Sequence, residues 1–478
     1  MKTLLCFLLT AYTLLLSAQT VDVSNGVRLP VKISKFRIIG KNNDGLVVRL
    51  YGSEDVIDVF DESLKLVTTR NIDFKSESGL LQYIMLNKTG AVIFYLAQDK
   101  KYSVLLAQPV NSKFIELGKP IAVDTIYDRR DLVAANIRFK PSVDQNHLMV
   151  YYPFFEGSTL KSIRFMCVDR SLRLLYNKTV TINRDEKELE ESKTLIDNFG
   201  NSYMLLKPET KTGEMVYDVY CIAQNGSLLT YSITADRSPF GEPWFDIDNK
   251  NNNLVMCSLY NSGQSGEDVA NGFSYTVFDP LSGKVLRSAY TPFSEEFIKE
   301  LTNREPAGPG KLYTFTIRKV ILRNDGGALI LAESYIKDSR ETPVGVGFQP
   351  GFYNYHTSNI YQFNDIIAFS VDSAAQLGWY SVMRKKQASE DDNGLYSSFL
   401  TVNQKDKLRL IYMDDIATTG IINEYVLSSD GKNERRVLIN QEDKDVMLLP
   451  KLGKQTAPDE VVLPSYINGV LKMAKITY

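Results

Sequence analysis

The sequence of 478 residues predicts an all-β protein, a single β-propeller with eight blades whose last blade is closed by strands from the N- and C-terminal ends. Three observations predict this fold. Hairpins with polar turns recur along the chain, alternating apolar segments precede them, and both chain ends carry incomplete sets of strands. A seven-bladed ring and a pair of stacked β-sandwiches are the alternatives.

The recurring unit is an apolar strand, a polar turn of Asp, Ser, Asn or Gly, and a second apolar strand. Several copies begin about 54 to 56 residues apart. A weaker copy begins at Val104, inside a gap of about twice that length. Four strands in roughly 50 residues are typical of one propeller blade. The hairpins are VFDESLKLV from Val59, CVDRSLRLL from Cys167, CIAQNGSLL from Cys221, VFDPLSGKVL from Val277, SVDSAAQLGW from Ser370 and VLSSDGKNERRVL from Val426.

Counting strands gives seven complete blades between about residues 36 and 440, and a remainder at each end. The C-terminal segment EVVLPSYINGVLKMAKITY supplies inner strands without an outer partner, and the segment VRLPVKISKF (27–36) supplies one strand without inner ones. Joining the two ends completes an eighth blade. Closure removes the unpaired sheet edge that an open ring would leave.

The expected domain organisation is a signal peptide over residues 1–18 and one propeller domain over 19–478. In the N-terminal segment, Lys2 is followed by an apolar run and by the small residues Ser17 and Ala18. At about 15 apolar residues the run is short for a membrane span of about 20, although a retained anchor helix is the alternative. We therefore expect an exported protein of the periplasm or outer membrane, with no transmembrane segment after cleavage.

Insertions are expected at 261–272, 294–311 and 337–359. In a propeller, the connection between the second and third strands and the crossing to the next blade emerge on one face, and all three insertions fall there. Residues 294–305 have a helical pattern, with Ser294 as the N-cap and Phe297, Ile298 and Leu301 on one side.

Composition narrows the classes of function. With 55 basic and 57 acidic residues, the chain shows no basic patch or tail that indicates a nucleic acid partner. The two histidines, His147 and His356, argue against a His-based metal site or triad, and no phosphate-binding loop is present. No residue is assigned a catalytic role, and no cofactor is expected. Cys167, Cys221 and Cys257 lie in apolar strand-like runs and are interpreted as buried residues, with one disulfide plus a free thiol as the alternative.

The insertion at 337–359 carries the first set of candidate binding residues. Exposed aromatic rings on a long loop can bind sugars or proteins. The alternative is that these rings fold down and plug the central channel. The candidates are Phe348, Phe352, Tyr353, Tyr355 and His356.

Five acids form the second set of candidate residues. They come from two segments that the fold would bring to the same face. Four interpretations stay open: acids that cap local amides, a calcium site, paired carboxyls for glycoside hydrolysis, and electrostatic docking of a basic partner. The acids are Glu390, Asp391, Asp392, Asp414 and Asp415.

The segment YQFNDIIAFSVD and the segment WYSVMRKKQASEDDNGLYSSF, within residues 361–399, resemble a group of uncharacterised exported β-propeller proteins of the Bacteroidota. The resemblance brings no assigned catalytic residues. The expected function is that of a non-enzymatic binding or scaffold protein in the cell envelope, docking an envelope protein through the loop-rich face of blades five to seven. The alternative is a glycan-binding or glycan-cleaving propeller that uses the acidic and aromatic loops.

Overall fold

The structure is a computed structural model, and it describes residues 19–73, 79–99, 101–185, 189, 192–207, 215–235, 239–261, 269–302, 314–346, 353–414, 416, 420–440 and 446–478. The side chains of residues 342–346 and 353–355 are also outside this description, as is the predicted signal peptide. Eight separate antiparallel sheets form a ring of eight blades, which confirms the predicted fold class.

The chain begins in the last blade and then builds blades one to four. Within each complete blade, the chain runs from the innermost strand to the outermost one. Strands β1 (Thr20–Val23) and β2 (Val27–Arg28) belong to blade eight. Blade one is β3 (Ile33–Asn42), β4 (Gly45–Gly52), β5 (Asp55–Phe60) and β6 (Leu66–Asn71). Blade two is β7 (Leu80–Asn87), β8 (Gly90–Asp99), β9 (Tyr102–Asn111) and β10 (Ile121–Ile126). Blade three is β11 (Arg138–Pro141), β12 (His147–Glu156), β13 (Thr159–Asp169) and β14 (Leu174–Asp185). Blade four is β15 (Lys193–Ile196), β16 (Ser202–Leu206), β17 (Met215–Ile222) and β18 (Leu228–Ala235).

Blades five to eight follow the same pattern, with one extra strand in blade six. Blade five is β19 (Pro239–Asp248), β20 (Asn253–Tyr260), β21 (Gly272–Phe278) and β22 (Val285–Pro292). Blade six is β23 (Phe315–Leu322), β24 (Ala328–Val346), β25 (Tyr353–Val371) and β26 (Leu377–Met383), with β27 (Gln387–Glu390) also pairing with β25. Blade seven is β28 (Leu400–Asn403), β29 (Lys407–Asp414), β30 (Ile421–Ser428) and β31 (Asn433–Asn440). Blade eight is β32 (Lys454–Ala457), β33 (Glu460–Ile467) and β34 (Val470–Thr477), completed on the outside by β1 and β2.

Apolar side chains are buried between blades rather than in one central core. Each pair of neighbouring blades encloses its own hydrophobic cluster, including the pair formed by blades eight and one. Both faces of most second and third strands are therefore buried, which explains their near-continuous apolar sequences, such as SYMLL in β16. Burial on both faces holds each blade against its two neighbours.

The ring closes where the N-terminal strand adds to the C-terminal one. Thr20 pairs with Thr477 and Val27 pairs with Leu471, both in antiparallel register on β34. The closing strand therefore lies at 20–28, earlier than the predicted 27–36. Residues 33–36 instead begin β3, the innermost strand of blade one. The sequence did not separate these two strands because only a short turn divides them.

The hairpin turns predicted from sequence share one local design. Asp169 Oδ1 accepts the backbone N–H groups of Ser171 and Arg173, and Leu172 takes a left-handed φ of 62°. An Asp side chain can bond to backbone amides shortly after it, which stabilises such turns. One residue near the end of the turn has positive φ in the outer hairpin of each of blades one to seven: Leu64, Phe114, Leu172, Gly226, Gly283, Ala375 and Gly431.

Helices are few in the described residues. Helix α1 spans Arg130–Asn136, and helix α2 spans Glu295–Thr302. The predicted helix after Ser294 is confirmed: Ser294 Oγ accepts the N–H of Phe297, and the three predicted apolar residues of α2 are buried. A short 3₁₀ turn covers Pro450–Leu452.

Cys167, Cys221 and Cys257 are free and buried, as the apolar sequence around each predicted. Each lies on a second or third strand inside a blade. Within the described part of the chain, no helix is both long enough and apolar enough to cross a membrane.

Candidate functional site

The most unusual element of the ring is the middle hairpin of blade six. Strands β24 and β25 have 19 residues each, about twice the length of most other strands. Their blade portions pair with β23 and β26, and their outer portions continue beyond the blade in register from Ile336↔Gln362 to Val346↔Tyr353. We call this extension, residues 336–346 and 353–362, the blade-six arm.

The arm has open strand edges. Strand β23 accompanies β24 only as far as Ser334, and no described strand pairs with that edge of β24 beyond it. On the other side, β27 covers β25 from Ile360 to Phe363. Residues 337–341 are exposed, so this part of the arm stands clear of the propeller body. Unpaired N–H and C=O groups along a strand edge can accept another strand.

Two of the aromatic candidates, Tyr353 and Tyr355, belong to the outer end of the arm. Phe348 and Phe352 fall outside the described residues. Tyr353 and Tyr355 belong to β25, opposite Val346 and Pro343, and their side chains also lie outside the description. The channel-plug alternative for these rings therefore stays a prediction.

His356 is the candidate of this set whose side chain is described. It pairs with Thr342 on β24, and its side chain is 63% exposed. Its Nε2 lies 4.0 Å from Oδ2 of Asp391, so the arm and the acidic segment do meet.

The acidic segment forms a tight loop against the base of the arm. We call residues 390–399 the acid loop. Asp391 Oδ1 accepts the N–H of Asn359 at 2.8 Å, and the N–H of Asp391 donates to the carbonyl of Asn359 at 2.9 Å. Asp392 Oδ1 accepts the hydroxyl of Ser389 at 2.7 Å and the N–H of Gly394 at 2.8 Å. These carboxylates therefore cap local groups, whereas Glu390 at the end of β27 is exposed.

Asp414 is engaged elsewhere in blade seven. It ends β29 and forms an ion pair with Arg435 of β31. Asp415 lies outside the described residues. Among the described residues, no group of three or more His, Cys, Asp or Glu side chains is arranged to hold a metal ion. The described residues therefore provide no set of ligands for the calcium site that the sequence left open.

A buried charge cluster, which the sequence did not indicate, anchors the base of the arm. Glu333 of β24 and Lys385 have fully buried side chains, with Nζ 2.8 Å from Oε1. The other carboxylate oxygen accepts Arg318 Nε at 3.0 Å and Ser398 Oγ at 2.8 Å. Lys385 Nζ also donates to the Phe363 carbonyl at 2.9 Å.

This cluster joins parts of the chain that are distant in sequence. Arg318 belongs to the innermost strand of blade six, Lys385 to the link between β26 and β27, and Ser398 to the acid loop. Gln387 extends the network, since its Oε1 accepts both Lys385 Nζ and the N–H of Ser398. The arm and the acid loop are therefore fixed to the blade by charged and hydrogen-bonded groups inside it.

A cleft of about 400 Å³ lies beside this cluster, between blades six, seven and eight. Arg318 occupies a bulge in β23, between Ile317 and Lys319, which redirects its side chain. Its guanidinium carbon lies 5.0 Å from the Tyr335 ring centre and 5.2 Å from that of Phe363. We call this cleft the basic cleft; its lining includes Arg318, Lys319, Tyr335, Phe363, Asn393 and Lys451.

Comparisons with known proteins add no functional assignment. No protein-family model matches the chain, and no curated protein sequence matches it either. The solved structures that resemble it include a protein of unknown function from Bacteroides caccae, with 13% identity over 73% of this chain and 93% of that one and a TM-score of 0.27. An uncharacterised protein from Listeria monocytogenes EGD-e has 11% identity over 86% of this chain and 96% of that one, with a TM-score of 0.36.

The β-propeller domain of Nup133 from Vanderwaltozyma polyspora is a third similar structure, with 11% identity over 82% of this chain and all of that one and a TM-score of 0.37. Likenesses this distant carry no argument about function. The propeller assignment depends instead on the eight sheets and their register, and the source and export of the chain stay predictions.

Proposed function

We propose that the protein is a non-enzymatic binding protein of the cell envelope that docks a protein partner through the blade-six arm. The observation that carries this proposal is the continuation of β24 and β25 beyond the blade, with strand edges that no described strand covers. A surface element of this length that is rigidly anchored at its base is suited to recognition rather than to packing.

The open edges favour one kind of contact. An extended segment of a partner can pair with the β24 edge by main-chain hydrogen bonds, while side chains on alternate positions select it. The exposed residues of β24 are mixed in charge, with Lys337 and Asp338 followed by Arg340 and Glu341. Charged residues on an edge strand oppose pairing with unrelated strands and with a second copy of the same edge. A partner strand with complementary charges can still pair there.

A shortened arm tests the proposal. Ser339 and Asn359 are register partners, so residues 340–358 can be replaced by Asn-Gly, which forms a two-residue hairpin turn. This variant keeps Asn359 and its bonds to Asp391. A control carries Glu434→Gln and Arg436→Gln, which remove an exposed ion pair on the outermost strand of blade seven.

The experiment has two stages. Crosslinking in the native envelope identifies candidate partners, and binding of each purified candidate to the purified protein is then measured. The proposal expects a partner whose affinity falls at least about tenfold for the shortened arm and is unchanged for the control. Equal affinity for the shortened arm and the unmodified protein, for every reconstituted partner, contradicts it.

The envelope location rests on the N-terminal segment and needs its own test. Cell fractionation with mass spectrometry of the mature N-terminus should find the protein in the periplasm or outer-membrane fraction and starting near Gln19. A cytoplasmic protein that keeps residues 1–18 contradicts this part of the proposal.

A glycan-cleaving role receives less support from the geometry. Asp391 and Asp392 already accept hydrogen bonds from local groups, and Asp414 is paired with Arg435. The glycan alternative is tested by a glycan array with the protein and its Asp391→Asn/Asp392→Asn variant. Sugar binding that this variant abolishes would favour a glycan ligand over a protein partner.

A further inference from the structure

The innermost strands of the ring have a net positive charge, whereas the chain as a whole is close to neutral. The full sequence has 55 basic and 57 acidic residues, whereas the eight innermost strands have nine cations and three acids. These strands line the central channel of a propeller. The cations are Lys35, Arg37, Lys41, Arg138, Lys140, Lys193, Arg318, Lys319 and Lys454, and the acids are Glu242, Asp246 and Asp248.

The three acids are already engaged. Glu242 pairs with Lys193 at 2.5 Å, and Asp248 Oδ1 accepts backbone N–H groups of the turn that follows it. Burial raises the pKa of Asp246, and the charges of Lys319 and Lys140 act in the opposite direction. Lys140 and Lys319 belong to blades three and six, so cations from separate blades act on one part of the channel.

Two of these cations, Arg318 and Lys319, line the basic cleft. Arg318 is held in place by Glu333 and by the rings of Tyr335 and Phe363. Lys319 and Lys451 line the same cleft, and neither forms an ion pair with a described carboxylate. The cleft therefore contains one cation whose position is fixed, Arg318, and two exposed lysines whose side chains can move toward a ligand.

The local charge balance is positive. The described lining of the cleft holds three cations, Arg318, Lys319 and Lys451, and no acid. Glu333 offsets Arg318 from behind the lining, and Asp246 acts on Lys319 from a greater distance without forming an ion pair with it. Desolvation lowers the pKa of Lys451, and repulsion by the charge of Arg318 lowers it further. An anion bound between these groups would relieve that repulsion.

We propose that the basic cleft binds a small organic anion that carries two or more carboxylate or phosphate groups. A cleft of about 400 Å³ is within the size range of small-molecule sites. The positive innermost strands would raise the local concentration of such an anion, because a cleft lined by one sign of charge focuses the field. Two negative groups would meet Lys319 and Lys451, the two cations of the lining that form no ion pair with a described carboxylate. This inference is independent of the arm and of any protein partner.

Calorimetric titration at low ionic strength tests the inference with two probes, citrate for carboxylates and pyrophosphate for phosphates. Sorbitol serves as a neutral compound. Lys319→Gln/Lys451→Gln is the test variant, and both lysines are exposed, so the fold should persist. Lys432→Gln is the control, since Lys432 is an exposed lysine of blade seven, paired with Asp430. Melting temperatures of all variants are compared first.

The inference expects at least one anion to bind with a Kd below about 1 mM, with an affinity that falls at least about tenfold in the double variant and not in the control. Added salt should weaken binding, and sorbitol should not bind. Binding of citrate alone or of pyrophosphate alone assigns the ligand to carboxylates or to phosphates. The inference is overturned if neither anion binds, if the double variant keeps the affinity of the unmodified protein, or if the control loses affinity as the double variant does.

Discussion

Nζ of Lys385 lies 2.8 Å from Oε1 of Glu333, and solvent reaches neither side chain. Burial alone disfavours the charged form of Lys385 and lowers its pKa, although Glu333 acts against this. A buried pair of this kind is costly to break, because removing one partner leaves an uncompensated charge in the interior.

Replacing Lys385 with Met should therefore lower the free energy of unfolding by about 3 to 5 kcal/mol. Adding Glu333→Gln to this variant should recover part of the loss, because the remaining amide still meets Arg318 and Ser398 without a net charge. Urea denaturation of both variants measures the two effects. Lys432→Met, at a pair whose lysine is 86% exposed, should change stability far less than Lys385→Met does. If Lys385→Met loses no more stability than Lys432→Met does, the buried pair is not structurally important.

Stability at acid pH should depend on Glu460, which joins blades eight and one. Although burial alone would raise it, hydrogen bonds from Thr456 and Lys41 hold the pKa of Glu460 below its usual 4.5. An acid whose pKa is lowered by folding contributes stability that is complete above pH 4.5 and is lost as the pH falls through the folded-state pKa. Unfolding measured across this range should show a smaller pH dependence in Glu460→Gln. Parallel curves for the two proteins would contradict the assigned role.

Alanine substitutions at two glycines distinguish the cost of backbone strain from the cost of a steric clash. Gly157 and Gly283 have φ of 62° and 69°, so alanine at either position costs about 1 to 2 kcal/mol in a left-handed conformation. A Cβ on Gly157 meets nothing within 4 Å, whereas one on Gly283 would lie 2.3 Å from Cδ2 of Tyr231 in blade four. Gly283→Ala should therefore cost about 1 to 3 kcal/mol more than Gly157→Ala in chemical denaturation. Equal costs would mean that the contact between blades four and five does not constrain the turn.

The three cysteines should be inert in the folded protein. Burial raises the pKa of Cys167 and of Cys221 to about 12, and it raises that of Cys257 as well. Because the thiolate is the reactive form, a thiol reagent such as DTNB should label none of them at neutral pH and all three in denaturant. Rapid labelling of the native protein would show that the blades open locally or that a cysteine is not buried.

The fold could be predicted because its determinants are local. The outer hairpin of each of blades one to seven has its own Asp or Asn cap and its own left-handed residue, so the repeat is visible in short segments such as VDRSLRLL. The closing strand was misplaced by a few residues because nothing local distinguishes an outer strand at Thr20 from an inner one at Ile33. The distinction depends on pairing with β34, about 450 residues away.

The candidate site was only partly predictable for the same reason. The long insertion and the acidic segment were visible, and the structure brings His356 and Asp391 together. Glu333 and Lys385, by contrast, are separated by a whole hairpin, and neither stands in a recognisable motif. The balanced charge of the chain also concealed the positive innermost strands, because their cations gather only when eight blades form a ring.

The central claim is that the blade-six arm is the surface that meets a protein partner. Hydrogen exchange of the protein with and without a saturating amount of the reconstituted partner tests it most directly. We predict that amides of residues 336–346 exchange at least about tenfold more slowly in the complex, while those of blades one to four are unchanged. Unchanged exchange along the arm in a fully formed complex, with protection elsewhere on the ring, would contradict the claim.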